Sequence, residues 1–424
     1  MDRPAPSARR AIAAATVGNA LEFYDFVIYT FFAIQIGHAF FPAQGSYGSL
    51  MLSLATYGVG FVTRPIGGLI IGNYSDRAGR RAGMMLSFTL MGGCVITMAL
   101  IPTYASIGIA APILVVLTRM VMGFSLGGEV GPTTAYLLES ASPRNRGVIT
   151  AWQTGSQTIA VLLGGVAGLA LSFVLTPAAL DSYGWRIAFL AGAVTVPFGL
   201  WVRRGLPETL HRAEAAATSF SQAATRLGAA REHGRIIVLG LVVLAYGTIS
   251  TYVRQYMTTF AQATLHMSSR PAFAVGVANG VAALAGVFYG AWLSDRIGRR
   301  PVMLWSNLAA LLITYPVFLW IVEAHSPLAL LGGIALLSAV SSVTFGTFYA
   351  ALTESLPKRI RGGAVGTLYA VAVAVFGGTC QFAVTWLIHV TGNAMAPGWY
   401  LLVACAAAQV AIQMIPESAP VRRA

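Results

Sequence analysis

Residues 75–81 read SDRAGRR, and residues 294–300 read SDRIGRR. An echo follows each copy: Glu139, Ser140, Arg146 and Gly147 match Glu354, Ser355, Arg361 and Gly362 in type and spacing. Self-similarity on this scale marks a chain made of two homologous halves. Around these repeats the chain is apolar: 56% of its 424 residues are hydrophobic, 10% are charged, and the mean hydropathy is +0.71. At about 20 residues per bilayer-spanning helix, that pool suffices for about twelve spans. It excludes disorder, a coiled coil and a disulfide scaffold.

A window of about 19 residues predicts spans near residues 11–37, 49–72, 83–102, 111–138, 148–174 and 185–202, and again near 235–262, 271–294, 301–323, 328–353, 363–391 and 398–415. The first block is too long for a signal peptide and carries Glu22 and Asp25, so it reads as a retained span. The net charge of +13 would suggest nucleic acid in a soluble domain, but its distribution follows the membrane instead. Of 27 Lys and Arg, three (Arg64, Arg119, Arg254) lie within spans and two (Arg186, Arg270) face one side, leaving 22 on the other. The positive-inside rule then puts both termini in the cytoplasm. The longest polar stretch, 204–234, divides the spans six and six. The predicted organisation is an N-terminal half (1–203), a cytoplasmic linker (204–234) and a C-terminal half (235–424).

With its repeat in the corresponding loop of the second half, GNYSDRAGRR between spans 2 and 3 resembles the loop signature of the major facilitator superfamily. GNALEFYDFVIY in span 1, RPIGG in span 2, RMVMGFSLGGE in span 4 and YLLESASPRNRG after it resemble the metabolite:proton symporter branch, as do GWRIAFLAG and FGGTCQF. Within that branch, TYVRQYMTTFA, ALTESLPKRIRGGAVGTLYA and VTWLIHVTGNAMAPGWYL look most like the citrate and tricarballylate carriers. The resemblance implies an all-α membrane protein of twelve helices in two six-helix halves, in the bacterial inner membrane. It also implies a proton-coupled symporter working by alternating access, with citrate or a related tricarboxylate as its cargo. Dicarboxylates, aromatic acids and zwitterions such as proline or betaine stay open as alternatives. A receptor or enzyme is the remote alternative, since no nucleophile–base pair, nucleotide loop or metal cluster is present. Cys94, Cys380 and Cys405 form no CxxC pair and no histidines have ligand spacing. No cofactor, metal or nucleic acid is expected, and the expected partners are the organic anion, protons and lipid, with the protein a monomer.

Charges inside spans are costly and point to function. Glu22 and Asp25 share an arc of span 1 with Gly18, Asn19, Phe26 and Tyr29, and Glu129 lies in span 4; these three carboxylates are the proton-coupling candidates, Glu22 first. Glu22 and Asp25 are alternatively readable as static partners of Arg64 or Arg119. Guanidinium groups grip carboxylates with paired hydrogen bonds, which nominates Arg119 as principal anchor and Arg64 and Arg254 as further anion contacts. Asn19, Gln153, Gln157, Asn279 and Tyr369 are candidate substrate contacts, or glue between helices. Protonating one of three carboxylates facing three arginines leaves one excess positive charge, worth roughly 3 kcal/mol to an anion about 6 Å away at an effective dielectric near 20. In the loops, Asp76, Arg77 and Arg80 and their repeats Asp295, Arg296 and Arg299 are predicted to latch the halves during cycling. The topology predicts that a cysteine at Ser46 or Ser326 reacts with an impermeant reagent added to intact cells and one at Ser219 does not; labelling of Ser219 would reverse the orientation.

Overall fold

Hydrocarbon offers no partner to a backbone N–H or C=O, so each crossing segment must satisfy its own hydrogen bonds, which an α-helix does. The computed structural model describes residues 8–42, 45–78, 80–127, 137, 141, 145–204 and 234–419, and among them there is no strand. Span 1 comprises Ala8–Phe31 and Ala33–Phe40, and span 2 comprises Gly45–Val62 and Arg64–Ala78. Spans 3 to 6 are Arg80–Leu100, Ala110–Leu126, Arg146–Val174 and Trp185–Arg204. The second half repeats the pattern with spans 7 to 10 at Gly234–Ala263, Ser269–Ile297, Arg299–Ala324 and Pro327–Ser355. Span 11 runs from Lys358–Ala372 through a π-helical turn, Val373–Gly377, into Gly378–Thr391, and span 12 is Ala396–Met414.

Spans 2, 5 and 7 to 12 contain helices long and apolar enough to cross a bilayer, and spans 3 and 4 are shorter apolar helices. Span 1, with Glu22 and Asp25, and span 6, with Arg186, Arg203 and Arg204, carry charges that dilute their hydropathy. Several helices outlast the apolar blocks, as at Ser269–Ile297 against 271–294, because helical bonding continues into polar flanks that a hydropathy window discounts; most of the later part of the block 111–138 lies outside the described residues. The linker at 205–233 and Glu129 lie outside the described residues, as do the side chains of Glu22, Asp76, Arg77 and Arg80.

Small residues set how closely the spans approach. A Cβ at Gly123 would collide with the Gly60 carbonyl oxygen, which seats span 4 against span 2. Between the halves, a Cβ at Gly165 in span 5 would lie 2.6 Å from the backbone nitrogen of Val277 in span 8. Backbone cannot swing aside as a long side chain would, so Gly165→Leu should wedge these spans apart. At roughly 1.4 kcal/mol of overpacking, a cysteine at Ala283 should label about tenfold faster from outside. An unchanged rate would show that this contact does not close that end.

Candidate functional site

A cavity opens between the halves at mid-depth, lined by Phe23 and Val27 of span 1, Gln157 of span 5, Arg254 of span 7, Asn279 of span 8 and Tyr369 of span 11, among others. Its volume is about 90 Å³, below the roughly 300 Å³ at which small-molecule sites begin. The halves are drawn together around it.

Arg254 dominates the C-terminal wall. Its Nη1 donates to Ser250 Oγ, one turn earlier, and to Ser341 Oγ of span 10 at 2.8 Å. The residue is buried, its Nε has no hydrogen-bond partner, and no described carboxylate pairs with it. Serine hydroxyls orient the guanidinium without neutralising it, so the charge remains available to an anion. Asn279 stands on the same wall with its Oδ1 accepting from Ser338 Oγ at 2.7 Å. Opposite, Gln157 Nε2 lies 3.5 Å from the Tyr369 hydroxyl, joining the two halves across the cavity. Tyr369 in turn meets Arg64, which stands behind the lining with its guanidinium carbon 4.5 Å and 4.3 Å from the ring centres of Phe26 and Phe61.

Arg119 lies elsewhere. It is fully buried inside the N-terminal half, 4.3 Å from the ring centre of Phe26, 4.5 Å from Tyr29 and 5.1 Å from Tyr57, outside the cavity lining. Rings supply their negative faces to the cation without delivering a carboxylate. Asp25 is buried nearby, against Gly192 of span 6, and its Oδ1 has no hydrogen-bond partner among the described residues. The two charges feel each other electrostatically without forming an ion pair within 4.0 Å. The arc of span 1 that holds Asp25, Phe26 and Tyr29 thus faces the interior of its own half, and Phe23 and Val27 face the cavity. Asn19 also serves its own half, donating to Ser156 Oγ at 2.6 Å and to the Gln153 carbonyl at 3.4 Å. Gln153 is buried outside the cavity lining, with both side-chain amide atoms unpartnered.

At the C-terminal end of span 8, the second loop repeat ties the halves together. Asp295 Oδ1 and Oδ2 accept from the backbone nitrogens of Gly147 and Val148 at 2.9 Å and 3.2 Å. A carboxylate from one half therefore caps the first turn of span 5 in the other, where the helix dipole favours it. Arg299 holds that carboxylate at 2.6 Å and grips Glu354 through Nε and Nη2 at 3.2 Å and 3.1 Å. Glu417, beyond span 12, accepts from the backbone nitrogens of Arg299 and Arg300. Arg296 instead stacks on Trp292, 4.0 Å from its ring centre.

The family model described as Major Facilitator Superfamily matches residues 15–378 and 260–420. The chain belongs to this superfamily. It is 36% identical over 408 residues to a citrate-proton symporter of Salmonella typhi, covering 96% of this chain and 93% of that one. It is 33% identical to an alpha-ketoglutarate permease of Escherichia coli (92% and 90% covered) and 29% identical to a proline/betaine transporter of the same organism (93% and 81%). Among solved structures, the E. coli xylose transporter in a partially occluded inward-open conformation superposes with a TM-score of 0.77 at 17% identity, covering 97% and 98%. The twelve-helix fold and the transporter class, rather than an enzyme, follow.

Of the residues singled out from sequence, Arg254, Gln157, Asn279 and Tyr369 meet at one cavity, with Arg64 behind them. Ser341 was not among them. Its signal is Ser338, Ser341 and Ser342, polar residues at helical spacing on one side of span 10. The latch geometry predicts that Asp295→Asn, which loses the charge facing the span 5 terminus and Arg299, slows transport at least about tenfold while equilibrium binding changes less than about threefold. Loss of binding in a folded variant would place Asp295 in the substrate site.

Proposed function

We propose that this transporter is a proton-coupled symporter for a small organic anion, with citrate or a related tricarboxylate as the leading cargo. The observation that carries this reading is Arg254, a buried guanidinium on an inter-half cavity held by serine hydroxyls with no carboxylate beside it among the described residues. A zwitterion would bring its own cation to that wall, so the unneutralised charge favours a carboxylate over proline or betaine. Names of relatives support the same choice, since both the citrate-proton symporter and the alpha-ketoglutarate permease match at higher identity than the proline/betaine transporter. On this reading Arg254 takes the anchoring role, with Asn279, Gln157 and Tyr369 orienting the cargo and Arg64 adding positive potential through Tyr369.

The proton site in this scheme is Asp25, enclosed with Arg119 away from the cavity. Protonating Asp25 leaves Arg119 uncompensated and changes how spans 1, 4 and 6 sit together, which moves the cavity wall that Phe23 and Val27 supply from the same span. Glu22 and Glu129 remain alternative proton carriers. The halves at 1–203 and 235–424 rock about the cavity, the linker at 204–234 and both termini lie in the cytoplasm, and the working unit is a monomer in the inner membrane.

The test is radiolabelled citrate uptake and counterflow in proteoliposomes. Arg254→Lys keeps the charge but loses the fork, so citrate affinity should fall about tenfold, roughly 1.4 kcal/mol. Asp25→Asn should keep counterflow and abolish accumulation driven by a pH gradient. Accumulation retained in Asp25→Asn and lost in Glu22→Gln would move the coupling site one turn along span 1. A greater affinity loss for Arg119→Lys than for Arg254→Lys would return the anchor to span 4.

A further inference from the structure

A second and larger cleft, about 630 Å³, lies at the end of the molecule remote from the Asp295 latch, between spans 1 and 2 of one half and spans 7, 8 and 11 of the other. Contacts between the halves close its floor: Gln35 Nε2 donates to Gln262 Oε1 at 3.3 Å, Thr259 Oγ1 donates to the Thr30 carbonyl at 3.4 Å, and Phe32 packs on Phe273 at 4.8 Å between ring centres. The cleft is therefore an antechamber, separated from the central cavity by a shut gate.

Its chemistry is unusual for a chain with six histidines. Three of them, His38, His266 and His389, line this one cleft, with Asp181 as its carboxylate. His38 Nδ1 lies 3.1 Å from Asp181 Oδ1. His389 is stacked on Tyr47 at 3.7 Å. His266 is held at φ 52°, in the left-handed region that a side-chain-bearing residue seldom adopts. The other ionisable groups facing the imidazoles are the phenols of Tyr47 and Tyr256; Arg186, Arg270 and Glu323 lie outside the lining. On the floor, Gln35 is 4% exposed and its Oε1 has no hydrogen-bond partner, so a buried acceptor waits for a donor such as a hydroxyl or a protonated carboxyl.

We infer that this outer cleft is a second binding site for the organic anion, one that captures it above the closed gate when the external medium is acidic. The inference rests on the anion-symport reading and its orientation. Three imidazoles against one carboxylate, Asp181, give the cleft a lining rich in N–H donors and able to gain positive charge, which suits a polycarboxylate, while the Gln35 side-chain carbonyl receives its hydroxyl or its proton-bearing carboxyl. The same acidity that drives coupled uptake would then fill the antechamber, so that cargo is waiting when the gate parts.

Equilibrium dialysis of radiolabelled citrate against the full chain in lipid nanodiscs, at about pH 5.5 and about pH 7.5, tests this. Wild type should bind two equivalents at the lower pH and one at the higher. Arg254→Ala, which removes central binding, should retain the acid-dependent equivalent. Combining His38→Gln, His266→Asn and His389→Gln should weaken that equivalent about tenfold, whereas Asp181→Asn should tighten it about threefold at the lower pH by freeing the His38 charge. The opposite directions keep the test decisive if the triple variant folds poorly. One equivalent at both pH values, lost in Arg254→Ala, would overturn the outer site and leave the symport reading standing. Absence of citrate binding at either pH would overturn both. A second equivalent indifferent to the histidines and to Asp181 would also overturn the assignment.

Discussion

An arginine inside a bilayer keeps its charge, so the protein must supply what water no longer does. The described part of the chain meets this demand in three places by two different means. Arg64 and Arg119 are wrapped in the rings of Phe26, Tyr29, Tyr57 and Phe61, whose electron-rich faces spread the stabilisation over several contacts. Arg254 receives only hydroxyl dipoles from Ser250 and Ser341. Both arrangements leave nitrogens without a hydrogen-bond partner, Nε and Nη2 of Arg64 and Arg119 and Nε of Arg254, but of the three only Arg254 lines the cavity between the halves. This difference distinguishes a guanidinium built into the scaffold from one presented to a ligand.

Much of the fold was legible in the sequence because its causes are local in sequence or repeated along it. Apolar blocks of sufficient length must be helices in lipid, basic loops fix the sidedness expected of them, and SDRAGRR with SDRIGRR gives away the duplication. The candidate site was legible only in part. Counting charges in spans finds Arg64, Arg119 and Arg254 alike, because depth along a helix follows from residue number. Which side of its helix each residue shows to the inter-half cavity depends on how twelve helices pack, and no single span carries that information. Arg119 and Arg254 have comparable depth and opposite surroundings for this reason. The same limit applies to Asn19 and Gln157, two polar residues of similar promise, one binding span 1 to span 5 and the other reaching Tyr369 across the cavity.

The second loop repeat shows how a duplicated sequence comes to join one half to the other. In the second half, Asp295 does not simply pair within its own loop but crosses to the first turn of span 5, while Arg299 fastens it to Glu354 and the backbone ahead of Arg299 is capped by Glu417. Among the described bonds of this network, those from Asp295 to the Gly147 and Val148 nitrogens cross between the halves, and Arg299 and Glu354, within the second half, hold that carboxylate in place. Parting the halves here therefore uncaps span 5 while the rest of the network stays intact.

Asp25 and Arg119 lie behind span 1 as seen from the cavity, while Gln157, Arg254, Asn279 and Tyr369 line the cavity itself. On the proposed reading this makes the engine and the hold of the transporter separate compartments that share one bulkhead. A change of cargo then needs new carpentry only on the cavity side, with the power source left untouched. Relatives named for citrate, alpha-ketoglutarate and proline or betaine, all aligned along nearly the whole of this chain, are what such a division of labour would produce.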